Sequence, residues 1–335
     1  MKKLLGEAHK SQVVYIDPGC ASQNIGDQII SDSACQQMES LLSGLFPFHV
    51  SSHQKMSFRY RRYLNKSAYI FVLGSNLLKG GMLTGFRQWD VSLFDTLQIN
   101  NAVLVGCGWH AYSNHIDTYS KVLYSKLLSS SYCHSVRDEF TKTKMNELGF
   151  TNVINTGCPT LWNLTESACE RIPRKKANSA VFTITDYNQD TYADSLMIEI
   201  LLEEYKNVYV WFQGNGDRDY VQDICDIRKC TVIPSTLASY DSFLLGNEVD
   251  YIGTRLHGGI RALQHGRRAL IISIDNRAKE MGSDFNLPVL ERASINELSR
   301  WINGGVSTEI MLKNDQIKQF KEQFKTESSI YGALL

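Results

Sequence analysis

Arg255 and His257, in the stretch Gly253-Thr-Arg-Leu-His-Gly-Gly259, are the pair best suited to chemistry in this sequence. A guanidinium is permanently charged and an imidazole titrates near neutrality, so together they offer a fixed cation and a mobile proton. Two apart on an extended segment, both side chains would leave the same face. Gly258 and Gly259 follow without a Cβ, which lets a ligand approach the backbone. The combination suits group transfer from an anionic donor; the alternative for His257 is an ordinary core histidine. Arg137 ends the apolar run in Cys133-His-Ser-Val-Arg-Asp138, and its planar fork suits a carboxylate or phosphate, unless it serves only a structural pair with Asp138. In Ser22-Gln-Asn-Ile-Gly-Asp27, Asn24 can turn the chain, Gly26 can take a positive φ, and Asp27 can cap a helix or hold a substrate hydroxyl. His110, after Gly106-Cys-Gly-Trp109, is a second proton carrier or an acceptor contact, and Lys279 can reach the same anion from a loop after the next strand. Phe58-Arg-Tyr-Arg-Arg-Tyr63 mixes cations with aromatics, as a sugar- or phosphate-binding patch or simply a solvated helix face. Cys107 has no activating base nearby in sequence and is not read as a nucleophile.

Elements must hold these residues. Val13 to Asp17, Ala68 to Gly74, Ala102 to Gly108, Cys133 to Arg137 and Val153 to Thr156 are short apolar runs that read as buried parallel strands, with a helical pattern from Ile29 to Leu45 and another ending near Gly149. Beyond the proline- and charge-rich Arg171 to Asn178 the alternation resumes. Strands at 180–185, 208–213, 230–233, 251–254 and 269–274 intersperse with helices at 195–206, 221–227, 237–245 and 258–265. Ser294-Ile-Asn-Glu297 reads as a capping box opening a helix to Asn303, and 314–326 as a final outer helix. The fold class is therefore α/β, two Rossmann-like doubly wound parallel-sheet domains facing a cleft. The expected boundaries are 1–170 on the acceptor side, 178–312 on the donor side, and 313–335 as a C-terminal helix packed outside. Strand ends on both sides of such a cleft are where ligands bind, and Arg255 and His257 sit at one of them.

The bulk composition narrows the classes. Lys+Arg 35 balances Asp+Glu 35, so no overall field favours nucleic acid or an anionic membrane as main partner. No apolar run approaches the ~20 residues needed to cross a bilayer, and the start lacks a signal-peptide core, so the expected location is cytoplasmic. The eight cysteines form no Cys-x-x-Cys pair and read as buried free thiols, with no metal site.

The order Asn24-Ile-Gly-Asp27, Ser135-Val-Arg-Asp138, Thr254-Arg-Leu-His-Gly258, then Ile274-Asp275 with Lys279, resembles the polysaccharide pyruvyl transferase family over roughly residues 13 to 290. The resemblance implies the two-Rossmann architecture of one large class of glycosyltransferases (GT-B-like). It also implies transfer of the pyruvyl group of phosphoenolpyruvate to two hydroxyls of a sugar, forming a ketal in cell-surface or exopolysaccharide biosynthesis. Phosphoenolpyruvate would be a donor substrate and no cofactor would be required. Arg137 and Arg255 are implied as donor-binding arginines and His257 as the histidine of the Arg-x-His motif. One departure stands out: where the family usually reads Asp-Pro after the sixth strand, this chain has Cys158-Pro-Thr-Leu161.

The physical demands of that reaction match the residues. An acceptor hydroxyl attacks C2 while C3 takes a proton, so the site needs a base, an acid and cations for a carboxylate and a phosphate. The acceptor would be a lipid-linked, nucleotide-linked or oligosaccharide sugar, and a lipid-linked one would bring the protein to the inner face of the membrane. Two other readings stay open: a nucleotide-sugar glycosyltransferase on the same architecture, and a non-catalytic sugar-binding protein.

Overall fold

The computed structural model describes residues 11–113 and 115–324. The first sheet contains β1 (Gln12–Asp17), β2 (Phe46–Ser51), β3 (Ser67–Leu73) and β4 (Ala102–Val105), all parallel, in the order β2-β1-β3-β4. The parallel pair β5 (His134–Val136) and β6 (Val153–Asn155) continues it. The join is made just past the end of β4, by backbone bonds of 3.0 Å from Gly106 N to Ser135 O and from Arg137 N to Cys107 O. The second sheet contains β7 (Ser179–Thr183), β8 (Asn207–Trp211), β9 (Thr231–Ile233), β10 (Asp250–Gly253), β11 (Ala269–Ser273) and β12 (Val289–Glu291). It is parallel throughout, in the order β12-β11-β10-β7-β8-β9. The chain starts at the centre of this sheet and winds out in both directions, which opens a crevice at the carboxyl ends of β7 and β10.

The central strands are apolar because both of their faces are covered. β4, β10 and β11 are buried at every position, and each fully buried Val, Leu or Ile contributes roughly 1.5–3 kcal/mol. The edge strands obey no such rule. β2 carries Pro47 and buries only Val50, and β12 has no fully buried residue; neither reads as an apolar run, and both lie at sheet edges where proline and polar residues are tolerated. The last helix, Asn314–Glu322, returns to the first sheet, where Ile317, Phe320 and Phe324 pack with Val13, Tyr15, Phe71 and Trp162. It ends at Glu322, before the expected 326, with Gln323 as its C-cap; residues 325 and 326 lie outside the described residues.

Two local expectations change. The first helix runs Ile25–Glu39, not to Leu45, because the chain must straighten into β2. Ser294 and Glu297 form no capping box: Ser294 kinks a 3-10 stretch at φ −99°, ψ 22°, and helix Leu298–Asn303 starts after it with no side-chain cap. Gly149 does end its helix, at φ 99° two residues beyond Glu147.

His134 on β5 gives the fold a pH dependence. The backbone N–H of Leu104 donates to its Nδ1 at 3.2 Å, so its Nε2–H donates to the Ser129 carbonyl at 2.9 Å, and both nitrogens are committed. Burial, foremost, pushes its pKa down to about 4, although the Ser129 carbonyl opposes the shift. The unfolded chain then binds a proton that the folded chain refuses. Stability should fall as pH drops from about 6.5 towards 4, by about 2 kcal/mol at pH 5 from this residue alone. Melting curves at pH 7 and 5 check this: the drop should shrink in His134→Gln, and an equal drop would remove His134 as its source.

Candidate active site

Every residue of interest sits at the carboxyl end of a strand, so the sheets themselves bring the two halves together. Asn24 follows β1 and is the N-cap of helix Ile25–Glu39, accepting from Gly26 N at 3.0 Å and from Gln213 Nε2, after β8, at 2.9 Å. Ile25 N donates to Gln213 O at 2.8 Å and Asn215 N to Gln23 O at 3.1 Å, stitching the loops across the cleft. Gly26 does not take a positive φ. Its lack of a Cβ matters because one would stand 2.6 Å from Gln213 Nε2. With Asn24 capping, Asp27 is left to face the cleft: it accepts from Ser22 Oγ at 2.7 Å and Ser75 Oγ at 3.2 Å, and His53 Nε2 stands 3.5 Å away.

These loops enclose a cavity of about 580 Å³, lined among others by Ser22, Asn24, Asp27, His53, Tyr187 and Arg255. His53, which nothing in the sequence singled out, donates through Nδ1 to the Gln88 carbonyl at 2.8 Å. Burial alone would lower its pKa, but Asp27 and that carbonyl favour the charged ring and the net shift is upward. His53 thus stands as a titratable group beside Asp27 on the cavity wall.

Arg255 and His257 do not share an extended segment. The strand ends at Gly253 and helix Leu256–Gln264 begins at once, with Arg255 as its N-cap residue, so the two side chains diverge. Arg255 turns to the second half. Its Nε donates to Asp217 Oδ2 at 3.0 Å, and its Nη2 to Asp186 Oδ1 at 3.0 Å and to Asp217 Oδ1. Asp217 is fully buried and also accepts from Gln213 N and Gly214 N, at 3.1 and 2.7 Å, so it orients Arg255 rigidly. Asp186 is 37% exposed, the more accessible of the two carboxylates.

His257 turns the other way and is 5% exposed. Its Nε2 lies 3.8 Å from Cys158 Sγ, at the position where an aspartate was expected. Burial first, then the positive charge of Arg277 and, less, that of Arg137, push its pKa down to about 3, with Asp27 and Asp275 pulling the other way. The Cys158 thiol is itself pushed up by burial and stays neutral, so it offers the ring no counter-charge. His257 is a neutral imidazole at pH 7.

Arg137 is 1% exposed. Its Nε donates to Asp138 Oδ2 at 3.0 Å and its Nη1 to Asn76 Oδ1 at 2.5 Å, while Nη2 is buried with no partner. Both readings of Arg137 therefore apply: it pairs with Asp138, and one arm of the fork remains open. A Cβ on Gly108 would overlap the guanidinium, which explains the glycine after Cys107. An unpaired buried donor costs about 1–3 kcal/mol, a cost that a bound anion would relieve.

Arg277 is the cation that the fourth motif supplies. It is held by Asp275 through Nε at 2.9 Å, touches the Tyr187 hydroxyl through Nη2, and its charge reaches His257 and His110. Lys279 lies on the exposed face of helix Asn276–Phe285 rather than in a loop, and is not among the residues lining this cavity. His110 is half-buried, with its Nδ1 unpartnered and its ring 6.2 Å from Phe86 of the cavity wall; burial lowers its pKa, helped by Lys79 and Arg277. Gly258 does not open the backbone to a ligand. A Cβ there would meet Gln213 Oε1 at 3.0 Å and Tyr251 Oη at 3.2 Å, so protein already fills the space. Arg255 lines the cavity, while Arg137 and His257 are buried outside its lining, His257 within electrostatic reach of Asp27 on its wall.

The fold and this cleft define the class: a GT-B-like protein of two doubly wound parallel sheets whose strand ends share one crevice. The structure superposes on the UDP-GlcNAc 2-epimerase of Methanocaldococcus jannaschii, solved with UDP-GlcNAc and UDP, with a TM-score of 0.53 and 10% identity over 93% of this chain and 98% of that one. The E. coli heptosyltransferase WaaC, solved with ADP-2-deoxy-2-fluoro heptose, matches at TM-score 0.38 and 11% identity over 78% and 87% of the two chains. No curated protein matches the sequence significantly. The chain belongs to the polysaccharide pyruvyl transferase family, whose model matches residues 24–276. That span begins at the Asn24 cap and ends between Asp275 and Arg277, taking in the cleft residues of both halves. Among the described residues no helix is long and apolar enough to cross a membrane, and all eight cysteines are free, three of them buried.

Proposed function

We propose that the protein transfers the pyruvyl group of phosphoenolpyruvate to two hydroxyls of a sugar, with no cofactor. The observation that carries the reading is the buried, half-satisfied Arg137 beside a neutral His257. An anion is the partner that this arrangement lacks, and a proton carrier stands next to it. Arg137 and Arg277 would hold one acidic group of the donor. Arg255 would take the other by exchanging Asp186 for it, keeping Asp217 as its anchor.

The proton balance then closes. The first acceptor hydroxyl adds to C2 and gives up its proton to a base, for which the His53–Asp27 pair is placed on the cavity wall. C3 gains a proton from His257, once the donor's charge has made that ring basic. The second hydroxyl displaces phosphate from C2, and its proton leaves with the phosphate. Asn24 and Asp27 would position the sugar, with His110 a further acceptor contact.

Phosphate release from phosphoenolpyruvate in the presence of a panel of glycan acceptors tests the reading directly. Thermal shifts separate it from its nearest rival, because stabilisation by phosphoenolpyruvate supports pyruvyl transfer whereas stabilisation by nucleoside diphosphates alone supports glycosyl transfer. Asp186→Asn probes the exchange at Arg255. Removing the competing carboxylate should lower KM for phosphoenolpyruvate several-fold, with kcat little changed; a raised KM would make Asp186 a positioning partner instead.

A further inference from the structure

A second feature lies away from the strand ends. Residues 40 to 89 contain no aspartate or glutamate but seven lysines and arginines, in a chain whose 35 cations and 35 anions balance. The remainder is correspondingly acidic. Five of the seven cations, Lys55, Arg59, Arg61, Arg62 and Lys66, fall within twelve residues and are all exposed. Among the described residues none of the five has an ion-pair partner. The 3-10 turn Phe58–Tyr60 and the short helix Arg61–Leu64 bury their other side: Leu64 is in the core, and Tyr60 and Tyr63 pack on Phe48 of edge strand β2, with ring centroids 5.9 and 4.6 Å apart. What faces outward is the row of cations and Phe58, 61% exposed, with the Arg61 guanidinium 5.7 Å from its ring. The same acid-free stretch supplies His53 and Arg87 to the cavity wall, so the basic edge is continuous in sequence with the cleft.

We propose that residues 55–66 form a docking surface for the anionic face of a lipid bilayer. Unpaired cations bring the surface to acidic headgroups, and a protruding aromatic among them can enter the interface, where a flat polyanion would give it nothing to bury in. The acidic remainder of the chain disfavours wrapping by nucleic acid. Docking stands independently of pyruvyl transfer, and its test uses binding alone.

Flotation of the full-length protein with vesicles of phosphatidylcholine, with and without phosphatidylglycerol, should show binding only to the acidic vesicles, weakening as salt is raised. The triple reversal Arg59→Glu, Arg61→Glu, Arg62→Glu should reduce binding about tenfold or more, and Phe58→Ser several-fold at unchanged charge, each with an unaltered melting temperature. Equal binding by wild type and the triple variant overturns the proposal. So does vesicle binding that Phe58→Ser leaves intact while heparin competes it away, since that result assigns the face to a soluble polyanion.

Discussion

Arg137→Lys should lose about 10²–10³-fold in kcat/KM for phosphoenolpyruvate, the magnitude seen when one preorganised donor is removed from a developing or bound anion. Lysine keeps the charge, so the loss isolates geometry. A guanidinium in this position donates simultaneously to Asp138, to Asn76 and towards the unfilled direction of Nη2, and an ammonium on a different stem cannot reproduce that fork. The variant also leaves Asp138, the cap of helix Glu139–Glu147, with its second bond to Thr141 N at 2.7 Å, so the helix keeps its start. The readout is therefore split. A lost kcat/KM with a melting temperature near wild type supports anion binding, whereas near wild-type turnover would show that Arg137 serves only the Asp138 and Asn76 network. Gly108→Ala, whose Cβ would press on the guanidinium at Cζ and Nη2, should reproduce the loss while leaving the arginine in place.

How far the sequence foretold this site depends on what each residue's neighbours are. Arg137 and Arg255 were legible because they follow directly on buried strands, and His257 because it opens the helix after one; an apolar run that stops at a charged residue announces a sheet end. Asn24 and Asp27 were legible as a loop but not in their roles, because which of two candidates caps a helix is decided by where the first helical turn begins. Asp186, Asp217 and Gln213 were not legible, since their function is to hold Arg255 and Asn24, and such partnerships span up to 189 residues of chain. His53 was hidden for another reason: it follows β2, an edge strand with a proline and little burial, so no apolar periodicity drew attention to it. Lys279 reads on sequence as a loop residue, but helix Asn276–Phe285 begins immediately after Asp275 and turns residue 279 outward. The central strands of both sheets were read within a few residues; the edge strands β2 and β12 were missed because edges need not be apolar on both faces.

His257→Asn should cost about 10²–10⁴-fold in kcat, the range of a positioned proton carrier, and should also change the protons exchanged on binding. In the free protein the imidazole is held neutral first by burial and then by Arg277 and Arg137, with its pKa pushed down to about 3. On the proposed reading, phosphoenolpyruvate would bring one of its acidic groups against the same two arginines. Neutralising them removes the repulsion, so the pKa of His257 must rise in the complex. The sign follows from linkage: between the free and bound pKa values the complex holds a proton that the free protein does not, so binding tightens as pH falls and proton uptake accompanies it. Calorimetry in buffers of different ionisation enthalpy measures that uptake, and wild type should take up more than His257→Asn; identical counts would rule out His257 as the group that is charged on binding. Cys158 sets how large the change is. Its thiol, 3.8 Å from the ring, provides no negative charge, whereas Cys158→Asp would place a counter-ion there and raise the pKa of the free protein. The double readout then separates tuning from structure: in Cys158→Asp the proton uptake on binding should shrink and the alkaline limb of the kcat/KM profile should move to higher pH, which a merely destabilised cleft would not produce.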